Sequence, residues 1–189
     1  MKKTKLLVAV LAIALFIPAS SYALVDFGVY GGYSYANIDT EVYQEDMNGW
    51  EWGMLGHVNT GLPMLFSVGL GAFYQRTNAD FEIDNTTVDA DRVMWGIDVM
   101  ATLELPIFIH PYIRMGIAIK EELEIDQGNN TTTVTNEKYF NSHYYGIGAQ
   151  FSVFPMVRVF GEYVFNYSNQ ENDTVVKSNA IHVGAMLSI

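Results

Sequence analysis

Apolar and polar residues alternate one by one along much of this chain. Between positions 93 and 105, Val93, Trp95, Ile97, Val99, Ala101, Leu103 and Leu105 take one parity; Met94, Gly96, Asp98, Met100, Thr102 and Glu104 take the other. Successive side chains of a strand point to opposite faces, so one face of this segment is greasy and the other carries carboxylates. The same rhythm predicts eight strands, over 25–38, 49–60, 66–77, 91–105, 112–125, 137–153, 157–168 and 177–189. Most are rich in Val, Ile, Tyr, Phe and Trp. Each is long enough for a membrane-spanning strand, which needs about 9–11 residues tilted near 45°.

The connections sort into two kinds. Gly61-Leu62-Pro63, Pro106-Ile107-Phe108 and Phe154-Pro155-Met156 are short turns, each with a proline. Between them lie longer polar segments, 39–48, 78–90, 126–136 and 169–176. Short and long connections alternate strictly, as in outer-membrane barrels with short periplasmic turns and long extracellular loops. An even strand count then puts both chain ends on the periplasmic side.

With the long loops outside, the outer ends of the strands carry Tyr33, Tyr35, Trp50, Trp52, Tyr74, Trp95, Tyr163 and Tyr167 on the outward parity. Amphipathic rings belong at a bilayer interface, so these eight predict an aromatic girdle at one level. Phe27, Phe66, Phe108 and Phe151 would contribute to the periplasmic one. A soluble, lipocalin-like carrier predicts the opposite arrangement, with apolar residues inward and polar ones outward.

Targeting and charge narrow the class further. Lys2, Lys3 and Lys5, an apolar run from Leu6 to Ile17 and a small-x-small site at Ser21-Tyr22-Ala23 read as a secretory signal peptide over residues 1–23. The barrel domain is then expected over 24–189. The apolar run is shorter than the roughly 20 residues a spanning helix needs. The sequence holds no cysteine, so disulfides, thiolate metal sites and a lipoprotein anchor are excluded. The net charge is -11, and losing the three signal-peptide lysines takes it to about -14 by the same formal count. Such acidity argues against a nucleic-acid partner.

The inward parity carries Glu51, His57, Asp98, Glu104, Arg114, Lys120, Glu122, Arg158, Glu162 and His182, with Gln75, Gln150 and Asn166. Eight strands leave an interior just wide enough for side chains to fill. Unpaired charges there are costly, which predicts a lumen plugged by a hydrogen-bonded ion-pair network. The rival reading is a narrow path for ions or small solutes gated by these charges. Inward glycines such as Gly32, Gly53, Gly116 and Gly148 would make room for the long side chains. No glycine cluster opens a helix, so a phosphate-binding loop is not indicated.

These residues together resemble the small eight-stranded outer-membrane barrels, the superfamily of the OmpA transmembrane domain, OmpX and OmpW. The resemblance rests on Phe27-Gly28-Val29-Tyr30-Gly31-Gly32-Tyr33, Pro111-Tyr112-Ile113-Arg114-Met115-Gly116, Phe160-Gly161-Glu162-Tyr163 and His182-Val183-Gly184-Ala185. It covers the chain from Leu24 onward and implies an all-β, eight-stranded, antiparallel, up-and-down transmembrane β-barrel. Barrels of this kind usually end in an aromatic residue that the assembly machinery reads; this chain ends in Ile189.

Some eight-stranded barrels modify lipid A with a serine, a histidine and an acid near the outer rim. Ser178, His182 and Glu162 share the inward parity of neighbouring strands here. Four residues of strand separate Ser178 from His182 by roughly 13 Å, too far for direct activation of a nucleophile. Ser142 and His143 are adjacent and point to opposite faces. A non-enzymatic barrel without cofactor or metal is therefore expected. The loop acids Asp39, Glu41, Glu45, Asp46, Asp80, Glu82, Asp84 and Asp89 predict a repulsive, soluble outer face. A divalent cation or an extracellular ligand would have its place there, although residues 80–91 lack the central glycine and terminal Glu of an EF-hand loop. The alternation of their acids with Phe81 and Ile83 also fits a third strand that continues above the membrane as a protruding ribbon. The expected partners are outer-membrane lipid, lipopolysaccharide and the barrel-assembly machinery, with the protein a monomer.

Overall fold

The alternating segments pair with their neighbours into a single closed sheet. The computed structural model describes residues 24–39, 44–62, 66–83, 86–105, 108–126, 131–136, 142–154, 156–169 and 175–189; the expected signal peptide lies outside them. The strands are β1 (Leu24–Asp39), β2 (Gln44–Leu62), β3 (Phe66–Ile83), β4 (Thr86–Leu103), β5 (Ile109–Asp126), β6 (Thr131–Asn136), β7 (Ser142–Phe154), β8 (Val157–Asn169) and β9 (Val175–Ser188). All pairings are antiparallel, and the ring runs β1-β2-β3-β4-β5-β7-β8-β9 and back to β1. This is the eight-stranded up-and-down barrel expected from the alternation. At the seam β1 pairs with β9 from Asp26↔Ser188 to Asp39↔Val175, and Val25 and Ile189 exchange two backbone hydrogen bonds of 2.8 and 2.9 Å. Closure removes the unpaired edges that an open sheet would expose.

Two differences from the sequence reading stand out. Of the strand expected over 137–153, the part from Ser142 is β7 and residues 137–141 lie outside the described residues; a separate strand, β6, pairs with β5 above it, from Glu121↔Asn136 to Asp126↔Thr131. The expected long loops are largely strand. β1 and β2 stay in register up to Asp39↔Gln44, and β3 and β4 up to Ile83↔Thr86. Alternation continues there with polar residues in place of apolar ones, and backbone pairing needs no greasy face to persist.

Burial is inverted relative to a water-soluble barrel. Val29, Trp50, Ile147 and Val183 are 59, 71, 64 and 66% exposed on the outer surface. Glu51, Asp98, Arg114, Glu162 and His182 are buried inside. The lipocalin-like arrangement is thereby excluded. Inside, Tyr30, Phe73, Tyr112, Tyr144 and Phe160 belong to the main apolar cluster. A second cluster of Ala36, Met47, Ala79, Val88, Ala90, Leu123 and Val176 sits toward the end away from the chain termini. That end is called upper below.

Candidate functional site: lumen, rim and ribbons

Mid-lumen, charged side chains from five strands meet. Arg114 Nη2 donates to Glu162 Oε1 at 2.7 Å, and its Nη1 lies 3.7 Å from Asp98 Oδ2. Its guanidinium carbon sits 5.0 and 5.9 Å from the ring centres of Tyr144 and Tyr30, within reach of a cation–π attraction. His57 Nε2 is 3.0 Å from Asp98 Oδ1, and the Tyr144 hydroxyl donates to the same carboxylate. Glu162 accepts from Tyr112 at 2.9 Å and lies 2.9 Å from His182 Nδ1. The other nitrogen of that imidazole meets Glu51, which also accepts from Gln75 and Thr77 at 2.9 and 3.0 Å. Three carboxylates thus surround one guanidinium and two imidazoles. Taking such charges from water costs several kcal/mol per ion unless partners offset it; tyrosine hydroxyls, Thr77 and Gln75 add hydrogen bonds to the three carboxylates.

Room for this network comes from missing side chains. A Cβ on Gly116 would stand 2.8 Å from Asp98 Cβ, and one on Gly148 would stand 2.8 Å from Tyr112 Cζ and 2.9 Å from Glu162 Cβ. Real carbon contacts do not come so close, so these positions keep glycine for close packing.

Above the network, Arg92 Nε donates to Glu121 Oε1 at 2.6 Å, and Glu121 also accepts from Ser142 and Ser168. All four are buried. Arg92 and Glu121 were not among the sequence candidates. Arg92 continues the inward parity of Met94 and Asp98, whereas Glu121 was hidden by a bulge: β4–β5 pairing steps from Trp95↔Lys120 to Gly96↔Ala118, leaving Ile119 as the extra residue. A bulge inserts one unpaired residue and reverses parity beyond it. The expectation that Lys120 faces the lumen is therefore corrected. Lys120 lies on the outer surface in an ion pair with Glu122, their side chains 45 and 37% exposed.

At the lower rim, Glu104 follows β4 and is half-buried. It accepts from Ser67 at 3.1 Å and from Arg158 at 3.4 Å, and lies 3.3 Å from His110 Nδ1. The opposite ring nitrogen, His110 Nε2, is 3.1 Å from Ser152 Oγ, and Arg158 also donates to Gln150 at 2.9 Å. Glu104 and Arg158 were sequence candidates for the lumen, and they lie at its mouth. Ser178 is buried and accepts from Asn166 at 3.2 Å, while His182 is held by the two glutamates.

The aromatic candidates Tyr33, Tyr35, Trp50, Trp52, Tyr74, Trp95, Tyr163 and Tyr167 are all placed on the outer surface, exposed or half-buried. Tyr33 stands opposite Trp50 and Tyr74 opposite Trp95. Ring contacts link Tyr33 to Tyr35 and Trp50, and Trp52 to Tyr74, at 5.0 to 5.5 Å. Of the loop acids, Asp46, Asp80 and Asp89 are exposed on strands. Asp39, Glu45 and Glu82 also fall within strands, while Glu41 and Asp84 lie outside the described residues. Asp80, Asp89, Asp91 and Glu124 line a groove of about 450 Å³ on the upper wall, where Asp91 pairs with Arg76. Among the described residues no group of three or more His, Asp or Glu is arranged to hold a metal ion.

An apolar outer wall around a polar, closed interior defines a β-barrel protein of the bacterial outer membrane. The chain belongs to the outer membrane protein beta-barrel domain family, whose model matches residues 7–188. Among solved structures, neisserial surface protein A is similar in fold, with a TM-score of 0.62 and 14% identity over 85% of this chain and 96% of that one. The attachment invasion locus protein Ail of Yersinia pestis, in complex with the heparin analogue sucrose octasulfate, gives 0.51 and 15% over 87% and 99%. OprG of Pseudomonas aeruginosa gives 0.51 and 9% over 89% and 98%. No curated protein matches the sequence.

Proposed function

We propose that this barrel is a structural and surface-facing protein of the outer membrane, whose lumen conducts nothing and whose ribbons meet the exterior. The observation that carries this is the stacking of two fillings in one lumen. The charged network around Arg114 occupies the middle, and the apolar cluster including Met47, Val88 and Leu123 lies above it. An ion passing upward would have to break buried charge pairs and then cross an apolar layer. Both are costly in a low-dielectric interior.

In this reading the eight aromatic residues mark the outer interface of the bilayer and the wall contacts lipid and lipopolysaccharide. The barrel-assembly machinery inserts the chain as a monomer. The ribbons present Asp46, Asp80, Asp89 and Glu124 to the outside. A ligand there must neutralise negative charge, which favours a basic partner or a divalent cation over a polyanion like that held by Ail. None of this requires catalysis in the lumen. Planar-bilayer recording of the purified protein tests it. A silent trace after insertion is expected, whereas reproducible unitary steps would establish the rival reading of a narrow channel.

A further inference from the structure

The lower rim carries a side-chain set that the proposed role leaves unused. Ser152 Oγ lies 3.1 Å from His110 Nε2, and His110 Nδ1 lies 3.3 Å from Glu104 Oε2. A nucleophilic serine needs a base within hydrogen-bond reach, and that base needs an acid at its other ring nitrogen. The first requirement is met by a hydrogen bond, and the acid stands at the other ring nitrogen at ion-pair distance, a contact that catalytic sites commonly tighten only when substrate binds. Burial is graded to match: the His110 side chain is 10% exposed, Glu104 is 32% exposed, and Ser152 stands open to its surroundings. Ser67 and Arg158 hold Glu104 from two sides.

The backbone brings Ser152 to the rim. β7–β8 pairing steps from Ser152↔Arg158 to Phe154↔Val157, so Val153 is an extra residue. Such bulges re-aim side chains and occur beside active sites. Arg158, directly across from Ser152 in that register, is the cation on the same face; side chains so placed have Cβ atoms about 4.5–5.5 Å apart. Around Ser152 the surface is greasy, with Phe108, Val153, Phe154 and Met156 at 66, 53, 65 and 52% exposed.

We propose that Ser152, His110 and Glu104 form a serine-hydrolase centre for the acyl esters of glycerophospholipids in the inner leaflet of the outer membrane. The apolar rim would take the acyl chain, and Arg158 would meet the phosphate or the developing oxyanion. Ser152 Oγ attacks the ester carbonyl carbon while its proton passes to His110 Nε2. The tetrahedral intermediate collapses with cleavage of the ester C–O bond, and the lysophospholipid alcohol leaves with the proton from His110. Water, deprotonated by the same nitrogen, then cleaves the acyl-serine; a fatty acid departs and Ser152 regains its proton. Glu104 is a positioning residue that fixes the ring. The placement of this rim in the inner leaflet rests on the orientation proposed above.

The test uses outer membranes from cells expressing the full chain. A fluorescent fluorophosphonate is expected to label the wild-type protein and to leave S152A and H110A unlabelled. Protein purified in detergent should release fatty acid from phosphatidylethanolamine vesicles, with S152A slower by at least about 100-fold. E104Q should lower kcat with KM unchanged and displace the pH profile, and E104D should restore part of the rate. S152C, nearly isosteric and the sole thiol in a chain without cysteine, should exchange fluorophosphonate labelling for iodoacetamide labelling. Wild-type labelling no stronger than that of S152A, or fatty-acid release indifferent to S152A, would overturn the proposal. Heat-modifiable gel mobility of every variant separates that failure from failure of the barrel itself.

Discussion

Arg114 is the residue on which the lumen's charge balance turns. It is buried, bonded to Glu162, close to Asp98 and flanked by two tyrosine rings. Removing one partner of a buried ion pair costs about 3–5 kcal/mol because the other charge stays uncompensated. Arg114→Met is therefore expected to lose about that much stability in urea unfolding of the detergent-folded barrel. Arg114→Lys should recover only part of it, since a point-like ammonium cannot reproduce the planar fork on two acids. A loss under about 1 kcal/mol in R114M would mean that the network contributes little. Asp98, Arg114, Glu162 and His182 were readable as inward from parity alone. Their partners were not, because which inward side chains meet across a lumen depends on the stagger between strands that are distant in sequence.

At the scale of a strand, the bulge at Ile119 decides what faces inward. Below it β5 points His110, Tyr112, Arg114 and Ala118 inside; above it the inward set is Glu121 and Leu123. Strict alternation carried through this point would put Lys120 and Glu122 in the lumen and lose the Arg92–Glu121 pair. Nothing about Ile119 itself announces a bulge, so this part of the site was illegible in the sequence. Deleting Ile119 should regularise β5 while leaving Glu121 inward, and the variant should keep its heat-modifiable mobility. Deleting Val183 from β9, whose pairing with β1 and β8 carries no irregularity, should invert every side chain on one side of the cut and abolish the folded band. Equal behaviour of the two deletions would contradict this account of β5. The upper ribbons show the reverse situation. Polar alternation was read as loop at the top of β1 and β2, and at β3 also as a protruding ribbon; the ladders persist at both because pairing depends on backbone groups.

For the molecule as a whole, the wall is the feature with the plainest signature in the sequence. All three tryptophans of the chain, Trp50, Trp52 and Trp95, stand on the outer surface of β2 and β4. An interfacial girdle would place their rings near the headgroups. Tryptophan emission of the protein in vesicles should then be quenched more by lipids brominated near the glycerol than by lipids brominated at the chain ends. Equal or inverted quenching would move these rings out of the interface. Parity, turn spacing and aromatic placement all pointed to one architecture, since each follows from crossing an apolar slab with alternating strands. The lower rim gave no such signal. Glu104, His110 and Ser152 share the inward parity of their strands, and parity does not say which side chains meet at one level.

The short strand β6 hangs from the upper edge of β5, while the ring closes beneath it from Ile117↔His143 downward. The passage between β5 and β7 is thus a detour that the barrel does not need in order to close. A change of length there need not disturb the ladder that closes the wall, so insertions in this passage are expected to leave the barrel folded.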